Sequence, residues 1–219
     1  MDTIWHAFWV YVLFRKHKAV NLALFGAILP DILNMVILGW NFLMLGFTWM
    51  IYANPVMPVW ALTVNYLVHS SVVILFIGIL LWYIKPSWMP FAYGMGLHAI
   101  LDYITHHTDA YPSFYPLSSW KFVSPFSYWE TSYFSQEILF INLIAAMITI
   151  GILLVMIEKA SMTERFLALF GIAYCIMLVV FYTINQRSFE LIVNGIIPLL
   201  FFIVFFVKTL KKWPFFVHT

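Results

Sequence analysis

The sequence contains very little charge for its length. Of its 219 residues, 9% are charged and 64% are hydrophobic, whereas soluble domains carry about 25% charged residues. This composition argues against a water-soluble globular protein and favours an all-α, polytopic integral membrane protein. The net charge of +2 is too small to indicate a nucleic-acid partner.

Cysteine is almost absent as well. The single cysteine, Cys175, lies in an apolar stretch, which argues against a disulfide framework and against a cysteine metal cluster. A cleavable signal peptide is not expected either. The first apolar stretch has neither a basic leader nor a small-residue cleavage site.

Long apolar runs recur along the whole sequence, and a membrane-spanning helix needs about 20 such residues. We predict a bundle of about seven helices that forms a single membrane domain over residues 1–219. Residues 1–135 would carry the functional site, with an outer loop at 107–136, and residues 137–219 would form three supporting helices. The segment 41–60, which contains two prolines, is predicted as an interfacial loop or a partial helix. The predicted helices are 3–14 (half-length, or paired with the next as a hairpin), 20–40, 62–84, 88–105, 138–157, 166–184 and 191–207.

Lysine and arginine are distributed unevenly between the loops. When the loops are assigned alternately to two sides, one side receives all but two of the 11 basic residues, and the other receives only Lys121 and Arg187. Cytoplasmic loops carry the excess of positive charge. We therefore expect the N-terminus and the 107–136 loop outside and the C-terminus in the cytoplasm.

Several ionisable side chains lie inside the predicted helices, where they are costly and often mark a functional site. Asp31, His69 and His98 each lie roughly 10 to 14 Å below the outer surface at 1.5 Å per residue. His6 lies in a further helix that enters from the same side. Four helices would thus place a metal-type ligand at one level of the membrane.

The spacing around His98 is also specific. His98 and Asp102 are four residues apart and share a helix face, and His106 extends this stripe. Nitrogen and oxygen ligands in this pattern suit a divalent metal, with zinc first. A lone histidine is more often a packing residue, and that interpretation is kept for His17 and His218. An aspartate could also serve a proton relay, but no lysine or arginine is predicted at this depth to pair with one.

These residues resemble a known family. His6, the segment 26–31 that ends in Pro30-Asp31, the triplet 68–70 around His69, and the H-x-x-x-D-x-x-T pattern from His98 occur in the order and spacing of the YdjM-like family. That family comprises bacterial membrane-bound proteins described as metal-dependent hydrolases. The resemblance covers about the first 130 residues, and it implies a location in the bacterial inner (plasma) membrane.

The sequence departs from the family pattern at two places. Leu33 stands where the family has a second aspartate, and Asn65 lies in the element where the family has His-Arg-Gly. Asn34 and Asn65 are candidates for weaker ligands or for hydrogen-bond donors to the ligands.

The ligand order is also similar to that of the zinc-dependent phospholipase C and S1/P1 nuclease superfamily, whose zinc clusters cleave phosphate esters. By this resemblance Asp31, His69, His98 and Asp102 would hold one metal. His6 would join a second metal, with Asp102 as the bridge. We therefore expect one or two zinc ions held by nitrogen and oxygen ligands, and a third ion near His106 is left open.

The resulting hypothesis is hydrolysis of a phosphate ester or phosphodiester of a lipid by metal-activated water, at the outer side of the membrane. Asp31 is the candidate general base. His106, His107 and Asp109 would move protons or position the leaving group. Lys121 could attract a phosphate head group, although a snorkelling lysine is the simpler interpretation. Two alternatives stay open: a divalent-metal or proton-coupled transporter, and a non-catalytic membrane protein with a structural metal.

Overall fold

The computed structural model describes residues 3–45, 57–128 and 130–155. Within these residues the fold is helical, as the apolar runs predict, and the β-type pairing is limited to one isolated bridge between Pro112 and Lys121. The predicted helices 166–184 and 191–207, together with Cys175, lie outside the described residues. The α-helices are α1 (Thr3–Phe14), α2 (Val20–Leu45), α3 (Val59–Val68), α4 (Ser71–Ile84), α5 (Met89–Thr105) and α6 (Ser135–Val155).

Helix α2 is longer than predicted. It continues to Leu45, so the first five residues of the segment 41–60 are helical, as the partial-helix alternative allows, and residues 46–56 lie outside the described residues. The buried side chain of Asn41 donates a hydrogen bond to the carbonyl of Ile37, one turn back, at 2.8 Å. Because this bond satisfies the amide inside the helix, Asn41 does not end it.

The predicted helix 62–84 is broken in the structure. Helices α3 and α4 differ in direction by 60°, with His69 and Ser70 between them. Ser70 has an extended backbone (φ −78°, ψ 128°), and its hydroxyl accepts a hydrogen bond from the N–H of Val72 at 3.2 Å. This is the arrangement of a helix N-cap, so Ser70 starts a new helix and His69 lies at the break.

Helices α2 and α5 pack closely at the centre of the fold. A side chain on Gly94 would overlap the carbonyl of Ala23, and one on Gly26 would overlap the carbonyl of Phe91. Small residues of this kind let two helix backbones approach. Ala23 lies beside Gly94 and Asp31 lies near His98, so the two helices run in the same direction and carry their polar residues to one end.

One described helix, α2, is long and apolar enough to cross a membrane, and the bent pair α3 and α4 would add a second span if it is one broken helix. Such a helix fits a membrane protein, although the cores of soluble proteins also contain helices of this kind. The seven membrane-spanning helices and the orientation of the termini stay predictions.

Candidate metal centre

Six of the predicted site residues meet at one place, although they come from distant parts of the sequence. All of them except Asp31 are classed as buried, with His6 and His98 at 0% exposure. They are His6 on α1, Asp31 on α2, His69 at the break between α3 and α4, His98 and Asp102 on α5, and His106 directly after α5.

Asp102 lies in the middle of this cluster, and its two carboxylate oxygens face different histidines. Oδ2 lies 3.1 Å from Nε2 of His98 and 3.6 Å from Nε2 of His69. Oδ1 lies 2.9 Å from Nε2 of His6 and 3.0 Å from Nε2 of His106. The carboxylate of Asp102 thus lies between two separate pairs of imidazole rings.

Asp31 completes the group on the His69 and His98 side. Its Oδ1 lies 3.6 Å from Nε2 of His69 and 3.8 Å from Nε2 of His98. Ligand atoms of a tetrahedral zinc ion, each about 2.0–2.1 Å from the metal, lie about 3.3–3.4 Å from one another. The nitrogen–oxygen distances among Asp31, Asp102 and the two histidines scatter around that value.

Hydrogen bonds on the far side of two rings set their orientation. Nδ1 of His98 lies 2.6 Å from the carbonyl oxygen of Ala27, and Nδ1 of His69 lies 2.8 Å from that of Asn65. A carbonyl oxygen can only accept, so each Nδ1 carries the hydrogen. Each Nε2 therefore presents its lone pair to the centre, as metal-binding histidines do.

Four buried ring nitrogens at the centre have no hydrogen-bond partner in the part of the chain that the structure describes. This holds for Nε2 of His69 and His98 and for both ring nitrogens of His6. Buried polar atoms are normally paired, and these nitrogens lie close to carboxylate oxygens without the geometry of a hydrogen bond. Such a donor set fits a divalent metal. Two overlapping groups have ligand atoms within 4.8 Å of one another: His6, Asp31 and His98, and His69, His98 and Asp102.

His106 is held by Asp109. Its Nδ1 lies 2.6 Å from Oδ2 of Asp109, while its Nε2 faces Asp102. Burial opposes the charged imidazolium, but the carboxylates of Asp102 and Asp109 outweigh it and raise the pKa of His106. Burial likewise opposes the charged Asp109, yet the hydrogen bond with His106 lowers the pKa of that carboxyl group. Asp109 therefore orients His106 from outside the cluster.

Two other predicted site residues have different surroundings. Nδ1 of His107 lies 2.5 Å from the carbonyl of Ser124, and its ring stacks on Tyr133 with centroids 3.6 Å apart. Lys121 is exposed, and its backbone pairs with Pro112. The contacts that the structure describes for His107 and Lys121 hold the loop together and do not include the centre.

Sequence reasoning missed Tyr111, which covers the centre from the loop. Its ring stacks on His69, with centroids 4.1 Å apart, and its hydroxyl accepts a hydrogen bond from Asn34 at 3.3 Å. Burial, together with the carboxylates of Asp31 and Asp102, raises the pKa of Tyr111, so the phenol stays protonated. In the sequence it is one of many aromatics in this loop, and no spacing distinguishes it. A narrow cleft beside the centre is lined by His69, Asp102, Tyr103, His106, Ala110, Tyr111 and Phe122.

The loop is anchored at the helix break. The N–H of Ser71 donates to the carbonyl of Ser113 at 2.9 Å, and the hydroxyl of Ser70 donates to the carbonyl of Tyr115 at 2.6 Å. The same break therefore places His69 in the centre and fixes the loop that carries Tyr111.

Comparisons with protein-family models, with curated proteins and with solved structures found no match for this chain. The resemblance to the YdjM-like family therefore rests on the motif residues alone. The activity has to be argued from the centre itself.

Proposed function

We propose that the protein is an integral membrane metal-dependent hydrolase that cleaves a phosphate ester or phosphodiester of a lipid at the outer side of the membrane. One observation carries the proposal. Buried imidazole nitrogens from three separate segments, His6, His69 and His98, converge on two carboxylates without making hydrogen bonds to them. A cation between these groups would satisfy them all.

The distances from the two carboxylate oxygens of Asp102 to four histidines allow a division into two sites that share Asp102. His69, His98, Asp31 and Oδ2 of Asp102 would hold one ion, and His6, His106 and Oδ1 of Asp102 would hold a second. Zinc is the metal that nitrogen and oxygen donors in this number suit best. When bound, such ions activate water and stabilise negative charge on a phosphoryl group.

Asp31 is the carboxylate that we propose as the general base. Its side chain is 14% exposed, against 5% for Asp102, so it is the acid of the centre that water can reach. The hydroxyl of Thr3 donates to Oδ2 of Asp31 at 2.6 Å and holds that oxygen in place. Proton transfer to a carboxylate needs such fixed geometry.

The distribution of charge supports a site on the outer side. Arg15, Lys16 and Lys18 lie in the turn between α1 and α2, and Lys85 lies in the turn between α4 and α5. Phe14 stacks on Tyr93 near these turns, at the end of the helices opposite the centre. By the positive-inside rule that end faces the cytoplasm, and the centre then faces outward at the depth of lipid head groups.

The proposal is tested with full-length protein purified in detergent. Metal content is measured by mass spectrometry, and phospholipids and lipid-linked phosphates are screened for hydrolysis. We expect bound zinc in the wild type, and we expect both His98→Ala and Asp102→Ala to lose metal and hydrolysis. His17→Ala is the matched control, because His17 lies exposed in the distant basic turn. Full hydrolysis by either centre variant would contradict the assignment.

A further inference from the structure

A group of neutral polar side chains lies beside the metal centre and takes no part in the hydrolysis argued above. Asn34 lies one turn after Asp31 on α2, and Asn65 lies one turn before His69 on α3. Tyr111 extends from the loop to both of them. Asn34 donates a hydrogen bond to the phenol oxygen at 3.3 Å, and Asn65 also hydrogen-bonds to that phenol.

Two acceptor atoms of this group have no donor. The Oδ1 atoms of Asn34 and Asn65 are buried and unpaired among the described residues, and Asn65 is only 2% exposed. An unpaired buried amide oxygen is unfavourable. Each hydroxyl group of a bound alcohol would supply one of the missing donors.

The charge of the surroundings favours a neutral ligand group. The side chains of Asn34, Asn65 and Tyr111, here called the pocket, are uncharged. The two carboxylates that act on Tyr111, those of Asp31 and Asp102, face the histidines of the metal centre. The two amide oxygens can accept a hydrogen bond from an alcohol, and the phenol hydroxyl can donate one to it. They offer no charge to balance an ammonium group.

We propose that the pocket formed by Asn34, Asn65 and Tyr111 binds a hydroxyl group carried by the alcohol part of the substrate, next to its phosphate. The inference rests on the proposed function, because the phosphate must lie at the metal centre. One helical turn, about 5.4 Å, separates the pocket residues from the ligands along α2 and α3. The few bonds between a phosphate oxygen and a hydroxyl of a glycerol-type alcohol span a similar length. The substrate class is therefore a phosphate of a polyol.

The test compares two probes with equal charge and carbon number, glycerol 3-phosphate and propyl phosphate. Binding to the zinc-loaded, full-length protein in detergent is measured by calorimetry. We expect the wild type to bind glycerol 3-phosphate at least tenfold more tightly. Tyr111→Phe, which keeps the ring stacked on His69, and Asn34→Leu should reduce this preference to less than about threefold, because each removes a polar partner that only the hydroxyl groups of glycerol 3-phosphate would use. Asn142→Leu, which replaces a buried amide that bonds to Trp9 on another part of the fold, should retain it.

A second pair of probes identifies the source of the polyol phosphate. Hydrolysis is compared in vesicles of phosphatidylglycerol and of phosphatidylpropanol. Faster hydrolysis of phosphatidylglycerol supports the pocket and indicates that the hydroxyl group belongs to a lipid head group. If only the free phosphates differ, the pocket is supported and the ligand is a soluble polyol phosphate.

The results also separate failure of the pocket from failure of the proposed function. Equal binding of the two free phosphates with equal hydrolysis of the two lipids overturns the pocket and leaves the hydrolase standing. Binding of neither phosphate and hydrolysis of neither lipid overturns both. Retention of the full preference in both Tyr111→Phe and Asn34→Leu also overturns the pocket.

Discussion

The arrangement around His106 illustrates how single residues tune the centre. Its Nε2 faces Asp102 at 3.0 Å and its Nδ1 faces Asp109 at 2.6 Å, so the ring is held from both sides by carboxylates. A carboxylate behind a histidine fixes the ring orientation and strengthens its basicity. Asp109 therefore acts on the centre through His106.

Replacement of Asp109 should change both the affinity for zinc and the competition between zinc and protons for His106. At pH 8, Asp109→Asn should bind zinc about 10–100-fold more weakly at the His106 site, the range usual for such supporting carboxylates. The carboxylates raise the pKa of His106 above its ordinary 6.5, so protons displace metal as the pH falls through that region. Without Asp109 the pKa of His106 is lower, so the pH at which the zinc affinity begins to fall should be lower, while the affinity at pH 8 is weaker. Competition with a chelator between pH 5 and pH 8 measures both effects.

If the pH at which the zinc affinity begins to fall is higher in this variant than in the wild type, the assigned role of Asp109 is contradicted. Thr108→Val is a neighbouring control, because the Thr108 hydroxyl bonds to Glu130 rather than to His106.

At the scale of helices, the centre depends on the close contact between α2 and α5. Gly26 and Gly94 allow each backbone to touch the other, and this contact sets where Asp31 lies relative to His98 and Asp102. The relative position of the two helices is thus the geometric condition for a shared ion.

A methyl group at this contact should disturb both stability and metal binding. A Cβ on Gly94 would overlap the Ala23 carbonyl, whereas a Cβ on Gly96 would meet no atom within 4 Å beyond its own helix in the described part of the chain. Overpacking typically costs about 1–3 kcal/mol, so Gly94→Ala should lower the thermal midpoint and reduce bound zinc. Gly96→Ala should leave both unchanged or stabilise α5 slightly.

Thermal unfolding in detergent with and without zinc measures these effects. If Gly94→Ala and Gly96→Ala have the same thermal midpoint and the same zinc content, the contact between α2 and α5 does not position the ligands.

For the molecule as a whole, the polar centre and the basic turns lie at opposite ends of the described helices. His6, Asp31 and His98 lie toward one end, while the turns that contain Arg15 and Lys85 lie toward the other. In a membrane, the basic end would face the cytoplasm and the polar centre would face outward. One position at each end is therefore enough to test the proposed orientation.

Cysteines at the two ends should differ in their access to a membrane-impermeant thiol reagent. In a background without Cys175, Ser118→Cys in the loop beside the centre should be labelled in intact cells or right-side-out vesicles. Ser87→Cys, which is exposed in the turn after α4, should be labelled only after the membrane is opened. Labelling of Ser87→Cys alone from outside would reverse the orientation and place the centre on the cytoplasmic side.

Much of the local structure could be predicted from the sequence. The bounds of α1 and α5 agree with their apolar runs, and the four-residue spacing of His98, Asp102 and His106 was enough to place them on one stripe. Helical periodicity is a local property, so neighbouring residues report it without knowledge of the fold. The break at Ser70 was missed because the apolar run continues on both sides of it.

The sequence by itself determined the helical class and the kinds of side chain available to a metal, because both depend only on composition and on the spacing of neighbouring residues. Only the tertiary structure decided that both oxygens of Asp102 face different histidines, that Tyr111 covers His69, and that His107 packs against Tyr133 instead. These contacts join residues that are far apart in sequence. They depend on how helices and loop pack in three dimensions, which no local pattern encodes.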